Sequence, residues 1–404
     1  MRTARLVLVL VLATGLLTGC WSRREITEIA VVLGTGVDRT AEGKIRLTVQ
    51  IARPTAFAGA TGAGGGGGGG QATPTSWVVW ADGRTVEEAE RSLARLVPRQ
   101  LYWGHCIVLV FGEEMARHGL YPVIDFFLRS RQPREIMWVM VAKGEAREVM
   151  ESYSPLANTS AQAAGFLALL KVGKFVRLKD LAEMLASREG EPVATRVEVR
   201  EAGTTPGPAP GQGTSPTVPR QVEITGSAVF RRDRLIGWFN AYETTGLKWL
   251  KGEVDREVLL VPTPSREEGK VSVSIMGGRT RILPELSGDR VRFNVQMRVD
   301  AMVAEQQSLS DLARPPQAKA LEALVAEEIR RRALVALRKA QQDYGVDPFR
   351  FGHAFHQKYP RQWREIEGRW NELFRRAEFR LEVKVHLREL GLEMRRVDVP
   401  PPKS

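Results

Sequence analysis

A few positions in this 404-residue chain combine residue type and spacing in ways that could do chemistry. The first is Cys20. Arg2 and Arg5 precede an apolar run from Leu6 to Leu17, and the run ends in Leu17-Thr18-Gly19-Cys20. Such a run is short for a bilayer span and fits the apolar region of an export signal. A Leu-x-Gly-Cys ending marks the lipoprotein version, in which the cysteine thiol takes a diacylglycerol and the chain is cut before it. The reading predicts a signal over 1–19, with Cys20 as first mature residue and membrane anchor. The competing reading is a plain signal peptide or uncleaved anchor helix with an incidental cysteine.

The remaining candidates carry less. His105 and Cys106 are neighbours, and neighbours on a strand point to opposite faces, which excludes a thiolate–imidazole pair. His353 and His356 are three apart and could share a helix face as metal ligands, but no third ligand is evident. Packing or solvation around Phe351 and Phe355 explains them as well. Glu113-Glu114 opens a helix, where acids suit the dipole. The chain has no Gly-x-Ser-x-Gly, no His-Glu-x-x-His and no phosphate-binding Gly-Lys-Ser/Thr loop. The sequence therefore predicts no enzyme and no catalytic, cofactor-binding or metal residue, and one covalent modification, lipidation of Cys20.

The elements that position these residues follow from periodicity. Apolar residues make up 43% of the chain, enough for a real core and for two or three domains. The formal charge is +12, or +10 once Arg2 and Arg5 leave with the signal. For an exported, anchored protein that excess points to anionic lipid or acidic partner surfaces rather than nucleic acid, or to solvated arginine such as Arg330-Arg331-Arg332. With Cys20 carrying lipid, Cys106 has no disulfide partner and reads as a buried hydrophobe in a strand.

The expected architecture is mixed α/β, or α+β. An N-terminal α/β domain spans 20–200 and carries a polyglycine loop at 58–76. It should hold strands at 29–33 and 44–52 joined by a turn at Gly34–Asp38, then alternating strands and helices with a partly parallel sheet. A Gly/Pro-rich linker or loop covers 201–220. A middle β-rich domain spans 221–284, and a C-terminal α+β domain spans 285–398. In the last, Val291 to Val303 and Phe379 to Leu387 alternate apolar and polar residues, which reads as an antiparallel sheet. Between them, Leu321, Val325, Ile329, Ala333 and Leu337 form the stripe of a long helix from about Pro316 to Tyr344, and a second helix covers 360–376.

Local patterns in fixed order resemble a known family. They are Gly19-Cys20-Trp21 with Glu25-Ile26, Leu109-Val110-Phe111-Gly112-Glu113, and Gln132-Pro133-Arg134-Glu135-Ile136. Next come Gly226-Ser227-Ala228-Val229-Phe230, Leu235-Ile236-Gly237-Trp238, Glu243 and Gly246-Leu247. The last are Asp347-Pro348-Phe349-Arg350-Phe351-Gly352, His356, Tyr359-Pro360 and Trp363. Together they resemble the Ger(x)C family, the lipoprotein C subunits of spore nutrient-germinant receptors. The resemblance implies a three-domain α/β protein on the outer face of the inner spore membrane. It also implies assembly with a polytopic A subunit and a transporter-like B subunit, and no enzymatic activity. From the residues alone, Gly226, Gly237 and Gly246 read as turn positions, and Phe230 and Trp238 as packing across a hairpin. The alternative function is a solute-binding lipoprotein serving a transporter, which would show two similar α/β lobes about a hinge.

Overall fold

The computed structural model describes residues 26–53, 75–201 and 220–389, apart from positions 155, 172, 255, 265–268, 289, 308–310 and 313. Cys20, the signal region, the glycine run and residues 202–219 lie outside the described residues. Among the described residues, no helix is long and apolar enough to cross a membrane.

Two sheets organise the described chain. In the first, β1 (Ile29–Arg39), β2 (Ile45–Ala52) and β3 (Ser76–Gly83) form an antiparallel meander. On its other side β1 runs parallel to β4 (Gln100–Tyr102) and β5 (Val108–Phe111), and β5 runs parallel to β6 (Trp138–Ala142). β7 (Val176–Arg177) and then β8 (Val193–Glu201) take the far edge of β6, β8 in parallel. The antiparallel hairpin β9 (Arg220–Arg231) and β10 (Arg234–Asn240) completes the sheet. The parallel centre matches the alternation of strands and helices, since parallel neighbours need a crossover.

Helices α1 (Val86–Leu93), α2 (Glu113–His118), α3 (Tyr121–Arg129), α4 (Ala146–Glu151), α5 (Ser160–Leu169) and α6 (Leu178–Ala186) flank this sheet. Residues of α1, α2, α3 and α6 share one core, and residues of α4 and α5 share the other. Thr85 caps α1 by accepting from the Glu88 amide at 3.2 Å, as its position predicts.

The expected turn at Gly34–Asp38 is instead the middle of β1. Its glycines serve close packing rather than chain reversal. A Cβ on Gly34 would lie 2.6 Å from the Ala161 Cβ, and one on Gly36 would lie 3.2 Å from Ala146. α5 therefore approaches the strand at Gly34 more closely than a side chain would permit, and α4 leaves only tight room at Gly36.

The second sheet pairs β11 (Glu257–Pro262), β12 (Lys270–Ser287) and β13 (Arg290–Gln306) antiparallel, and β14 (Glu378–Glu389) lies parallel to β13. The sheet is thus mixed, not wholly antiparallel. Alternation reports that one face is buried and carries no information on direction. The helical crossover from β13 to β14 is what makes the pair parallel. It contains α8 (Pro315–Arg338), α9 (Phe351–Lys358), α10 (Pro360–Ile366) and α11 (Trp370–Arg376), taking α7 as Ala241–Lys251 in the connection before β11. The long helix ends in a π-helical turn, Lys339–Tyr344.

The segment 221–284 is divided between the sheets: β9 and β10 extend the first, β11 and β12 build the second. The two sheets also share a core, since Val193, Val229 and Phe239 of the first pack with Leu247, Trp249, Ile329 and Phe293 of the second unit. Gly246 sits inside α7, where a Cβ would lie 2.1 Å from the Arg332 carbonyl of α8. A Cβ on Gly237 would lie 2.5 Å from the Tyr344 ring, and one on Gly226, at φ +154, would run into the Phe239 carbonyl. All three glycines permit close approach within or onto elements, rather than forming turns. Across the hairpin, Phe230 faces Leu235 and Trp238 faces Ala228. The two units differ in strand number and order, unlike two similar lobes.

Candidate functional site

The chemistry-bearing residues converge at the junction between the sheets. Asp347-Pro348-Phe349 turns the chain out of the π-helical turn, and the fully buried Asp347 carboxylate organises the entry into α9. Its Oδ1 accepts from the Phe349 amide at 3.1 Å, an Asx-type turn. Its Oδ2 accepts from the Gly352 amide at 2.8 Å and from the Trp370 indole at 3.0 Å. One side chain thereby satisfies the start of α9 and ties it to α11. Burial raises the Asp347 carboxyl above its ordinary range, against these hydrogen bonds. Arg350 just before α9 takes a left-handed φ of +67.

The first domain reaches in through residues 187–192. The Glu191 amide donates to the Asp347 carbonyl at 2.7 Å, and the His353 amide donates to the Glu189 carbonyl at 3.1 Å. A Cβ at Gly352 would stand 2.6 Å from that Glu189 carbonyl, so only glycine fits there. The Glu189 carboxylate then grips α9 at two points. His353 Nδ1 lies 2.5 Å from Oε2 and His356 Nδ1 lies 2.5 Å from Oε1. Burial works to raise the Glu189 carboxyl, but the bonds from His356 and His353 outweigh it and hold it below its usual range. The His356 ring stacks on Trp363 at 5.5 Å. Beside the clamp, a polar cleft of about 730 Å³ lies between the domains, with Arg188, Glu191, Arg232, Glu367 and Asn371 on its walls.

The spacing of His353 and His356 therefore does place both on one face, but the third group is a carboxylate from the other domain that both Nδ1 atoms already use. Among the described residues, no three His, Cys, Asp or Glu side chains are arranged to hold a metal. Cys106 is buried against Thr35 Oγ1 at 3.4 Å, and burial pushes its thiol up to about 11, far from a reactive thiolate. His105 is exposed in the turn before β5, its ring 5.7 Å from that of Tyr102, and Cys106 also precedes the strand, so the expectation that both lie on it is not met. Glu113 pairs with Arg117 at 2.6 Å along α2. Cys20 lies outside the described residues.

The sequence pattern offers no route to Glu189. It sits before a glycine in a loop, and only the fold brings it across to α9. The same holds for Lys251, the last residue of α7, whose ammonium is buried and depressed to about 8. Burial is the main cause, Glu253 opposes it, and Lys174 and Arg350 add repulsion. Asp347 is visible as part of a pattern, but its role as acceptor for three donors is not.

The junction is assembled from the pattern residues Asp347, Gly352, His356 and Trp363, and comparisons with known proteins cover both sides of it. Residues 22–199 match the spore germination protein N-terminal domain, and residues 225–391 match the spore germination B3/GerAC-like C-terminal domain. The chain belongs to the Ger(x)C family of spore germination proteins. It is 27% identical over 293 residues to the putative spore germination protein YfkR of Bacillus subtilis, covering 72% of each chain. It is 25% identical over 403 residues to spore germination protein KC of the same organism, covering 97% of each. The crystal structure of the GerBC protein shares its fold, with a TM-score of 0.53 and 18% identity over 88% of this chain and 97% of that one. The boundary of the second match, residue 225, falls inside β9, so the family's two regions meet within one continuous sheet.

Proposed function

We propose that this Ger(x)C protein is the lipid-anchored C subunit of a spore nutrient-germinant receptor. In this reading it is a non-enzymatic component held by Cys20 at the outer face of the inner spore membrane. It assembles there with a polytopic A subunit and a transporter-like B subunit, and it supports assembly or signalling rather than chemistry. The observation that carries the reading is the extent of the family match, which runs through both domains and the clamp between them. The Leu17-Thr18-Gly19-Cys20 pattern supplies the anchor, and two acyl chains at about 0.8 kcal/mol per buried CH₂ give stable attachment.

The test is a Cys20→Ala strain. The variant should lack the lipid-modified N-terminal peptide by mass spectrometry, leave the membrane fraction and slow germination with nutrients. Retention in the membrane fraction with normal germination overturns the anchor reading.

A further inference from the structure

The outer face of the second sheet carries an arrangement that the fold does not need. Arg279 on β12 is registered with Arg298 on β13, and Arg298 with Lys384 on β14. Registered residues share a face, so three cations stand in one row about 10 Å long at the usual strand spacing. All three are exposed, while their neighbours Met297 and Val299 are buried on the opposite face. Arg281 adds a fourth cation two residues along β12 on the same face. None of the four has an acidic partner among the described residues. The nearby acids are already engaged: Asp300 with Arg388 at 2.8 Å, and Glu382 with Arg380 at 3.3 Å. Like charges directly opposite on a sheet are destabilising, so the row is a cost that no ion pair of its own offsets among the described residues.

The row lies in a hollow. A register shift in β12 falls between Ile275 and Gly277, and the space a Cβ would occupy at Gly277 is open. The hollow, about 660 Å³, is lined by Gly277, Gly278, Arg279, Arg298 and Lys384, and by Arg388 paired with Asp300. Met276, which also lines the hollow, is exposed.

We infer that this hollow is a docking site for an acidic segment of a partner protein, one presenting two or three carboxylates within about 10 Å. Charge complementarity selects an anion. The concave shape selects a chain segment over a bilayer, whose surface cannot follow the hollow, and the exposed Met276 offers apolar contact to such a segment. The inference rests on the interaction-subunit reading for its biological meaning, but its test is a direct binding measurement that stands apart from germination.

The experiment measures fluorescence anisotropy of a labelled ten-residue polyglutamate peptide with the full chain in detergent. Saturable binding that weakens as salt rises is expected. Arg298→Gln with Lys384→Gln should weaken it about tenfold, a loss of the order expected for two exposed charges. Arg364→Gln, on α10, should leave it unchanged. The double variant should melt at the same or a higher temperature than the parent, because it relieves opposed like charges; this separates lost binding from lost folding. Equal binding by the parent and the double variant overturns the inference. So does displacement by inorganic pyrophosphate at concentrations far below those of the peptide, which marks a small-anion site. Binding of the Cys20→Ala chain to phosphatidylglycerol vesicles that depends on Arg298 and Lys384 overturns it in favour of a membrane surface. Defective germination with unaltered peptide binding touches the functional reading alone.

Discussion

Replacing Asp347 with alanine removes the acceptor for three buried donors at once: the Phe349 and Gly352 amides and the Trp370 indole. Each buried donor left without a partner costs about 1–3 kcal/mol. Against this, the ionised carboxylate is itself expensive to bury, as its raised pKa shows, and the alanine variant is freed of that cost. The balance is a loss of about 3–5 kcal/mol, a large share of the roughly 5–15 kcal/mol of a typical domain. Asp347→Asn should lose only about 1–2 kcal/mol, because an amide oxygen in the Oδ2 position still serves Gly352 and Trp370 while its NH₂ opposes the Phe349 amide. Urea unfolding followed by tryptophan emission measures both, and Trp370 lies inside the network. A cycle with Trp370→Phe isolates the shared bond: the cost of Trp370→Phe should shrink by about 1 kcal/mol or more in the Asp347→Ala background. An alanine variant within 1 kcal/mol of the parent, or strict additivity in the cycle, refutes the role of this carboxylate as organiser of the junction.

The other expectations concern neighbouring features. Glu189→Gln should cost about 1–2 kcal/mol at neutral pH, given its two histidine bonds. Because the Glu189 carboxyl is held low in the folded state, its contribution is present above the ordinary glutamate range and lost as pH falls through the depressed value. Acid unfolding of the variant should therefore be less steep there. Lys251→Met should stabilise at pH 7. Depression from 10.5 to about 8 corresponds to roughly 3 kcal/mol at 1.36 kcal/mol per pH unit, and the folded state binds fewer protons between those values. Parent stability thus rises over that window, and the advantage of the variant should vanish near pH 10.5, as urea midpoints across pH will show. Gly246→Ala should cost about 2–3 kcal/mol or more by thermal melting, since its Cβ would meet the Arg332 carbonyl at 2.1 Å and push α7 off α8.

Much of the fold was legible because its signals are local. The period-two runs at 291–303 and 379–387, the stripe from Leu321 to Leu337 and the cap at Thr85 each depend on a few neighbouring residues, and each appears where periodicity puts it. What was not legible depends on the arrival of distant chain. Gly34 and Gly36 look like a turn until α4 and α5 are known to rest on them. The direction of β14 depends on the crossover rather than on its own residues. The segment 221–284 reads as one β-rich unit, although its two hairpins join different sheets. At the junction, the shared face of His353 and His356 was readable from spacing, but Glu189 is separated from them by more than 160 positions and gives no signal of its own. The covalent site, Cys20, remains a reading of the sequence pattern.

The Tyr344 ring seated over Gly237 has a consequence for the outermost strand of the larger sheet. β10 is an edge, and an edge strand offers free amides and carbonyls to any other chain that can extend the ladder. The Tyr344 hydroxyl accepts from the Trp238 amide at 3.0 Å and donates to the Trp238 carbonyl at 2.8 Å. One phenol thus occupies both hydrogen-bonding groups of the residue midway along that edge, and the register shift between Leu235 and Gly237 bends the strand beside it. A foreign strand would have to evict the ring before it could pair. The end of the long helix therefore acts as a stopper against unwanted strand addition, which matters for a protein proposed to assemble with other chains at a membrane.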